Sequence, residues 1–196
     1  MENIHPVFDR IIQRGDKERL LNQQAKVIWL TGLSGSGKTS LGVGLEKRLF
    51  NEGFLTQILD GDNIRSGINR NLKFTETDRY ENIRRIAEVN KLFVNCGIIT
   101  INCFISPTKD IRDMAREIIG SENFIEIFVN APLSVCEERD VKGLYKKARN
   151  GEIKNFTGID SPFDVPVFDL EIRTDLNPIE ASVQKLYDFI IDKISL

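Results

Sequence analysis

Apolar positions in this chain follow two spacings in turn, and the alternation predicts an architecture. Val27-Ile28-Trp29-Leu30 is a saturated apolar run too short for a helix and reads as a buried strand. Leu41, Leu45 and Leu49 then recur four residues apart, the stripe of a helix with one buried face. Phe54 to Leu59 predicts a second strand, ending in the acidic turn Asp60-Gly61-Asp62. From Tyr80 to Asn95, Ile83, Ile86, Val89 and Phe93 return to helical spacing, and Ile98 to Ile105 is a mostly apolar, β-branched run of the kind a parallel sheet buries on both faces. A helix over Lys109 to Ile119, a strand over Phe124 to Val129 and a helix from Pro132 toward Arg139 continue the series. The pattern predicts an α/β fold, a parallel sheet flanked by helices. In the last helix Asn177 is the expected cap, Pro178 the first position and Glu180 the residue reaching back to the cap, with Ile179, Val183, Leu186, Ile190 and Ile194 facing the core. Residues 1–24 predict a helical extension whose Phe8, Ile11 and Ile12 pack on the body formed by residues 25–196.

Composition narrows the class without changing that outline. A chain of 196 residues with 41% hydrophobic and 29% charged residues suits one globular domain. The start Met1-Glu2-Asn3-Ile4-His5-Pro6 lacks a basic segment followed by an apolar run, and no apolar stretch reaches membrane-spanning length. No membrane association and a cytoplasmic location are therefore expected. Cys96, Cys103 and Cys136 lie in predicted strands or helices without zinc-ligand spacing, so buried reduced thiols are expected. The net charge of -2 argues against a general nucleic-acid binder. Between Arg139 and Lys154 the charge turns locally basic, with Arg139, Lys142, Lys146, Lys147, Arg149 and Lys154 against Asp140 and Glu152. Such a run is either a solvated helix face or a cover for anionic substrates.

The candidate chemistry starts directly after the first strand. Gly32-Leu33-Ser34-Gly35-Ser36-Gly37-Lys38-Thr39 has the Gly-x4-Gly-Lys-Thr spacing of a phosphate-binding loop opening a helix. Gly32, Ser34, Gly35, Ser36, Gly37, Lys38, Thr39 and Ser40 are the residues expected to bind ATP or GTP. Backbone amides cradle phosphate, Lys38 reaches the β and γ phosphates, and the Thr39 hydroxyl suits Mg²⁺. Asp60 and Asp62 end the second strand and Ser106-Pro107 the third, where open parallel sheets bind ligands. Asp62 can orient an acceptor hydroxyl and take its proton, while Asp60 can hold metal-bound water or tie down the loop. Arg79 near a helix start opposes the helix dipole, which an anionic substrate explains better than helix stability does. Phe74 and Phe156 sit in polar segments and either anchor loops or stack on a planar group.

Taken together these residues resemble the adenylyl-sulfate kinase family over nearly all of the chain from about His5. The resemblance rests on the phosphate loop with Leu59-Asp60-Gly61-Asp62-Asn63-Ile64-Arg65, Arg79-Tyr80-Glu81-Asn82-Ile83-Arg84-Arg85, Phe104-Ile105-Ser106-Pro107, Arg139 to Arg149 and Phe156-Thr157-Gly158-Ile159-Asp160. It implies a P-loop nucleoside-triphosphate hydrolase-like sheet with a mobile lid at about 139–160. It also implies transfer of the γ-phosphoryl of ATP to the 3′-hydroxyl of adenylyl sulfate (APS), giving ADP and 3′-phosphoadenylyl sulfate, in sulfate activation with Mg²⁺. Asp62, Arg65, Phe74, Arg79, Asn82, Ile105, Ser106, Lys142, Leu144 and Phe156 are the implied APS contacts, Phe74 and Phe156 sandwiching the adenine, and a homodimer is implied. Ser106 also matches the family's phosphoserine position, but direct in-line transfer needs no serine relay and no histidine lies nearby in sequence, so a structural hydroxyl or a phosphate ligand is expected. Where relatives commonly continue with Pro-Tyr-Glu after the lid, this chain has Pro162-Phe163-Asp164, a change that can alter lid closure or affinity. No sulfate-adenylylating domain is attached, so a separate sulfate adenylyltransferase is the expected source of APS. The alternatives are a kinase for another small anionic metabolite and a regulatory module that binds ATP and APS without turnover.

Overall fold

The computed structural model describes Asn3 and residues 5–196. Five strands form one parallel sheet in the order β2-β3-β1-β4-β5: β1 Val27–Thr31, β2 Thr56–Asp60, β3 Ile99–Cys103, β4 Phe124–Asn130 and β5 Leu170–Arg173. Central β1 is buried along its whole length, which is why its sequence shows no alternation. Its side chains still divide by face. Ile28 and Leu30 join Leu41, Leu45 and Leu49 of α2 (Lys38–Asn51) and Leu186, Ile190 and Ile194 of α8 (Ile179–Ile194). Val27 and Trp29 join Ile83, Ile86 and Ala87 of α4 (Glu76–Asn95) and Ile111, Ala115 and Ile119 of α5 (Lys109–Ile119). Two apolar layers thus clamp one sheet, each worth roughly 25 cal/mol per Å² of apolar surface removed from water.

A third, smaller cluster stands apart from both layers. Ala131, Cys136 and Tyr145 are buried there against Leu33, Leu133, Val135, Phe156 and Ile159. It joins α6 (Leu133–Arg139) and α7 (Leu144–Arg149) to the phosphate loop and to the segment after α7. The segment expected to form a lid therefore has its own packing.

Several expectations are corrected. Phe8, Ile11 and Ile12 are exposed and do not pack on the body, and helix α1 (Arg14–Leu21) buries no residue. Asn177 does not cap α8. Its amide donates to the Arg173 carbonyl at 3.1 Å, and Pro178 stands at the cap position rather than inside the helix. Ile179 is exposed and faces the cleft, whereas Ser182 is buried. Of the cysteines, Cys103 and Cys136 are buried but Cys96 is exposed. The acidic turn after β2 is a helix start: the Asp60 carboxylate accepts from the Asp62 amide at 3.1 Å and caps α3 (Gly61–Ser66). Among the described residues no helix is long and apolar enough to cross a membrane.

Candidate active site

The phosphate loop runs from the end of β1 to the start of α2. At Gly32, a Cβ would lie 2.3 Å from the Val129 carbonyl oxygen, so the loop can leave the sheet only through a residue without one. Gly37 caps α2 in the left-handed region, at φ 97°. Lys38, buried within this loop, donates to the Gly32 and Leu33 carbonyls at 2.8 and 2.7 Å. Burial pushes its pKa down to about 8. A nucleotide phosphate offers that ammonium the charge compensation which two carbonyls supply only in part. Thr39, one residue on, donates to the Asp60 carboxylate at 2.8 Å, joining the loop to the end of β2.

The loop faces a cleft of about 740 Å³. It is lined by Ser34, Gly35, Gly37, Lys38, Thr39 and Ser40 of the loop region and also by Asp62, Arg65, Phe74, Arg79, Asn82, Ile105, Ser106, Lys142, Leu144 and Phe156. Gly32 and Ser36 lie behind that surface and shape the loop. Every residue expected to touch the acceptor is thus brought to one cavity, from α3, α4, the β3 exit and the lid.

Their partners show what holds each one. The Asp62 carboxylate is paired with the Lys142 ammonium across the cleft, both side chains largely exposed. Arg79 donates to the Phe74 carbonyl at 3.0 Å and to the Thr157 hydroxyl at 2.6 Å, and also bonds the Asn155 carbonyl. Arg65 lies over the Phe74 ring, 4.5 Å from its centroid, and donates to the Lys73 carbonyl at 2.9 Å. Partial burial, with Arg79 nearby, lowers its pKa. Buried Asn82 accepts from Asn69 at 3.0 Å. Phe74 is exposed, while Phe156 meets Tyr145 edge-on at 4.9 Å.

Ser106 is 2% exposed, has φ 44°, and its hydroxyl accepts from the Trp29 indole at 3.0 Å. Its carbonyl accepts from Arg112 at 2.7 Å. Each polar atom of Ser106 beyond the amide is thus engaged in holding the exit of β3. Phe163 stacks on Phe128 at 6.0 Å, and the Asp164 carboxylate accepts the Lys109 amide at 2.9 Å. These two residues brace β4 and α5.

Further polar residues of the cleft wall, outside the expected contacts, hold the phosphate loop from behind. Arg139 donates to the Gly35 carbonyl at 3.2 Å and the Thr174 carbonyl at 2.8 Å, Thr174 donates to the Ser36 carbonyl at 2.7 Å, and Tyr145 donates to the Ser34 carbonyl at 2.9 Å. Asn177, expected as the cap of α8, also lines the cleft. Arg139 and Tyr145 stand in a motif visible in the sequence. Thr174 and Asn177 follow an edge strand too short to announce itself.

A phosphate loop on a parallel sheet, in one cleft with arginines, a carboxylate and a basic segment, defines a P-loop phosphotransferase that carries a phosphoryl group between two bound substrates. Comparison with known proteins narrows the class. The family model described as adenylylsulphate kinase matches residues 24–174. The adenylyl-sulfate kinase of Bacteroides fragilis (strain YCH46) is 58% identical over 194 residues, 98% of this chain and 96% of that protein. The Mycobacterium tuberculosis APS kinase in complex with AMPPNP and APS superposes with a TM-score of 0.82 at 43% identity, covering 86% of this chain and 98% of that one. Shikimate kinase from Acinetobacter baumannii, at 17% identity and a TM-score of 0.53 over 90% of this chain and 98% of its own, shares the fold alone. The chain belongs to the adenylylsulphate kinase family.

Proposed function

We propose that this protein transfers the γ-phosphoryl of ATP to the 3′-hydroxyl of APS, and that the residues of the cleft divide that work as follows. Lys38 meets charge developing on the transferred phosphoryl, where a placed donor is worth about 3 kcal/mol. Asp62, in the same cleft, orients the 3′-hydroxyl and accepts its proton once Lys142 turns to the acceptor's anionic end. Arg65 and Arg79 neutralise the phosphosulfate, and Phe74 and Phe156 hold the adenine, each stack being worth about 1 to 3 kcal/mol. Asn82, Ile105, Ser106 and Leu144 close the wall around it. Ser106 serves as a structural hydroxyl in this reading.

Mg²⁺ fits the donors present. The Thr39 hydroxyl and the Asp60 carboxylate are hard oxygen ligands 2.8 Å apart, and among the described residues no group of three or more His, Cys, Asp or Glu side chains could hold a metal ion. An ion held chiefly by nucleotide phosphates, with Thr39 and through water Asp60, suits that set. Bound there it would neutralise charge on the β and γ phosphates. The substrate's chemistry calls for a separate enzyme that adenylylates sulfate. A cytoplasmic homodimer and a domain boundary near residue 25, with a lid over 139–160, complete the proposal.

The observation that carries this reading is one cavity holding the phosphate loop together with Asp62, Arg65, Arg79, Phe74 and Phe156. An ADP-formation assay with APS, AMP, a non-purine acceptor and no acceptor tests it. APS alone should support rapid turnover. Equal rates with all acceptors would leave only a generic phosphotransferase, and binding of ATP and APS without product would leave a regulatory module.

A further inference from the structure

A phosphate loop whose amides point inward turns its carbonyls outward, and each outward carbonyl needs a donor. Here the partners can be followed one by one. Lys38 takes the Gly32 and Leu33 carbonyls, Tyr145 that of Ser34, Arg139 that of Gly35, and Thr174 that of Ser36. Two of these donors, Arg139 and Tyr145, belong to the lid segment. The outer layer of the phosphate loop is therefore built partly from the segment proposed above as the lid.

Tyr145 differs from Arg139 in what lies at its other end. Its side chain is 2% exposed, and its ring meets Phe156 edge-on, with centroids 4.9 Å apart and planes at 74°. Leu33 of the phosphate loop packs in the same small cluster. A Cβ at Gly158 would lie only 3.1 Å from Leu33, so the segment carrying Phe156 is seated directly against the loop. Burial pushes the Tyr145 hydroxyl well above its ordinary pKa, which keeps it a donor throughout the working pH range.

We propose that Tyr145 is a positioning residue that couples the two substrate sites. Its hydroxyl reads the shape of the phosphate loop at Ser34, and its ring sets the position of Phe156, the acceptor-side shelf. Nucleotide phosphates that order the loop thereby order Phe156 for the acceptor base, so donor-site occupancy strengthens acceptor binding. Linkage makes the effect reciprocal. This rests on the acceptor reading given above.

Calorimetric titration of APS into the full-length protein, with and without saturating Mg-ADP, measures the coupling as a ratio of affinities. The wild-type ratio is expected to be about tenfold, in the range common for coupled sites. Tyr145→Phe keeps the ring and its contact with Phe156 but removes the donor to Ser34. The ratio should then fall by about fivefold, the factor one neutral hydrogen bond carries, with APS affinity for the nucleotide-free protein little changed. Phe156→Leu cuts the link at its other end and should lower the ratio as well, beyond its direct cost to APS binding. A ratio preserved in both variants, or weakening by the same factor with and without Mg-ADP, would reduce Tyr145 to packing and overturn the proposal. A wild type that phosphorylates APS yet shows a ratio of one overturns the coupling alone. A wild type that neither binds nor phosphorylates APS overturns the acceptor reading and the coupling with it.

Discussion

Lys38 and Asp62 line the same cleft with different partners, and their substitutions should fail differently. Lys38→Ala removes a buried ammonium that costs the empty loop some stability, so the variant should remain folded by circular dichroism while turnover falls about 100-fold or more. Near-normal turnover would remove Lys38 from the transfer step. Asp62→Asn keeps the shape and loses the charge that pairs with Lys142, so kcat should fall more than ATP affinity, measured by steady-state kinetics and nucleotide titration. Loss of ATP binding with normal kcat would instead place Asp62 on the nucleotide side. The cysteines separate by environment: burial pushes Cys103 up to about 12, whereas Cys96 is exposed. Iodoacetamide at neutral pH followed by mass spectrometry should mark Cys96 in the native protein and leave Cys103 and Cys136 unmarked. The phosphate loop was legible at this scale because its chemistry requires glycines and a lysine at fixed spacing. The roles of Tyr145 and Thr174 were not, because a donor to an outward carbonyl can come from any part of the chain.

Elements show a similar division. The long helices and central strands were legible because each buries a saturated or four-spaced apolar set. The edge strand β5 was not: Leu170-Glu171-Ile172-Arg173 is short and only Ile172 is fully buried, so its pattern resembles a loop. Helix α3 hid behind its own cap, since Asp60-Gly61-Asp62 reads as a turn until the Asp60 carboxylate is seen accepting the Asp62 amide. The N-cap expected at Asn177 failed because α8 starts one residue later, with Pro178 at the cap position, while the Asn177 amide donates to the end of β5. Between elements, α5 is held to β4 by an ion cluster that no local pattern announces: Arg112 lies 3.1 Å from Glu126, both side chains 4% exposed, and Arg116 lies 2.8 Å from the same carboxylate. Arg112 also donates to the Ser106 and Asp164 carbonyls. Arg112→Met should therefore destabilise the protein by about 3 kcal/mol in urea unfolding, because a buried carboxylate loses one of its two partners. A change within about 0.5 kcal/mol, the usual effect of a surface substitution, would mean that Arg116 alone satisfies Glu126.

At the scale of the molecule, a five-stranded parallel sheet delivers β1, β2 and β3 to one edge, so that the phosphate loop, Asp60 and Ser106 converge although they are far apart in sequence. The α/β class followed from the alternation of elements, and the residues proposed for the acceptor, which line one cleft, came only from the combination of separated motifs with the family resemblance. What the alternation could not supply was the attachment of α6 and α7 to the phosphate loop, because their small cluster brings together Leu33, residues of the Ala131 to Cys136 segment, Tyr145, and Phe156 with Ile159. One cavity shared by the phosphate loop and Asp62 makes a definite claim about regiochemistry: the carboxylate that receives the proton also selects the hydroxyl. Phosphorus NMR of the product formed from ATP and APS tests that claim most directly. One ADP per turnover and a single new phosphomonoester, coupled to the ribose 3′ proton with the phosphosulfate intact, are the expected result. A phosphoryl group on another position, or ADP accompanied only by inorganic phosphate, would contradict it.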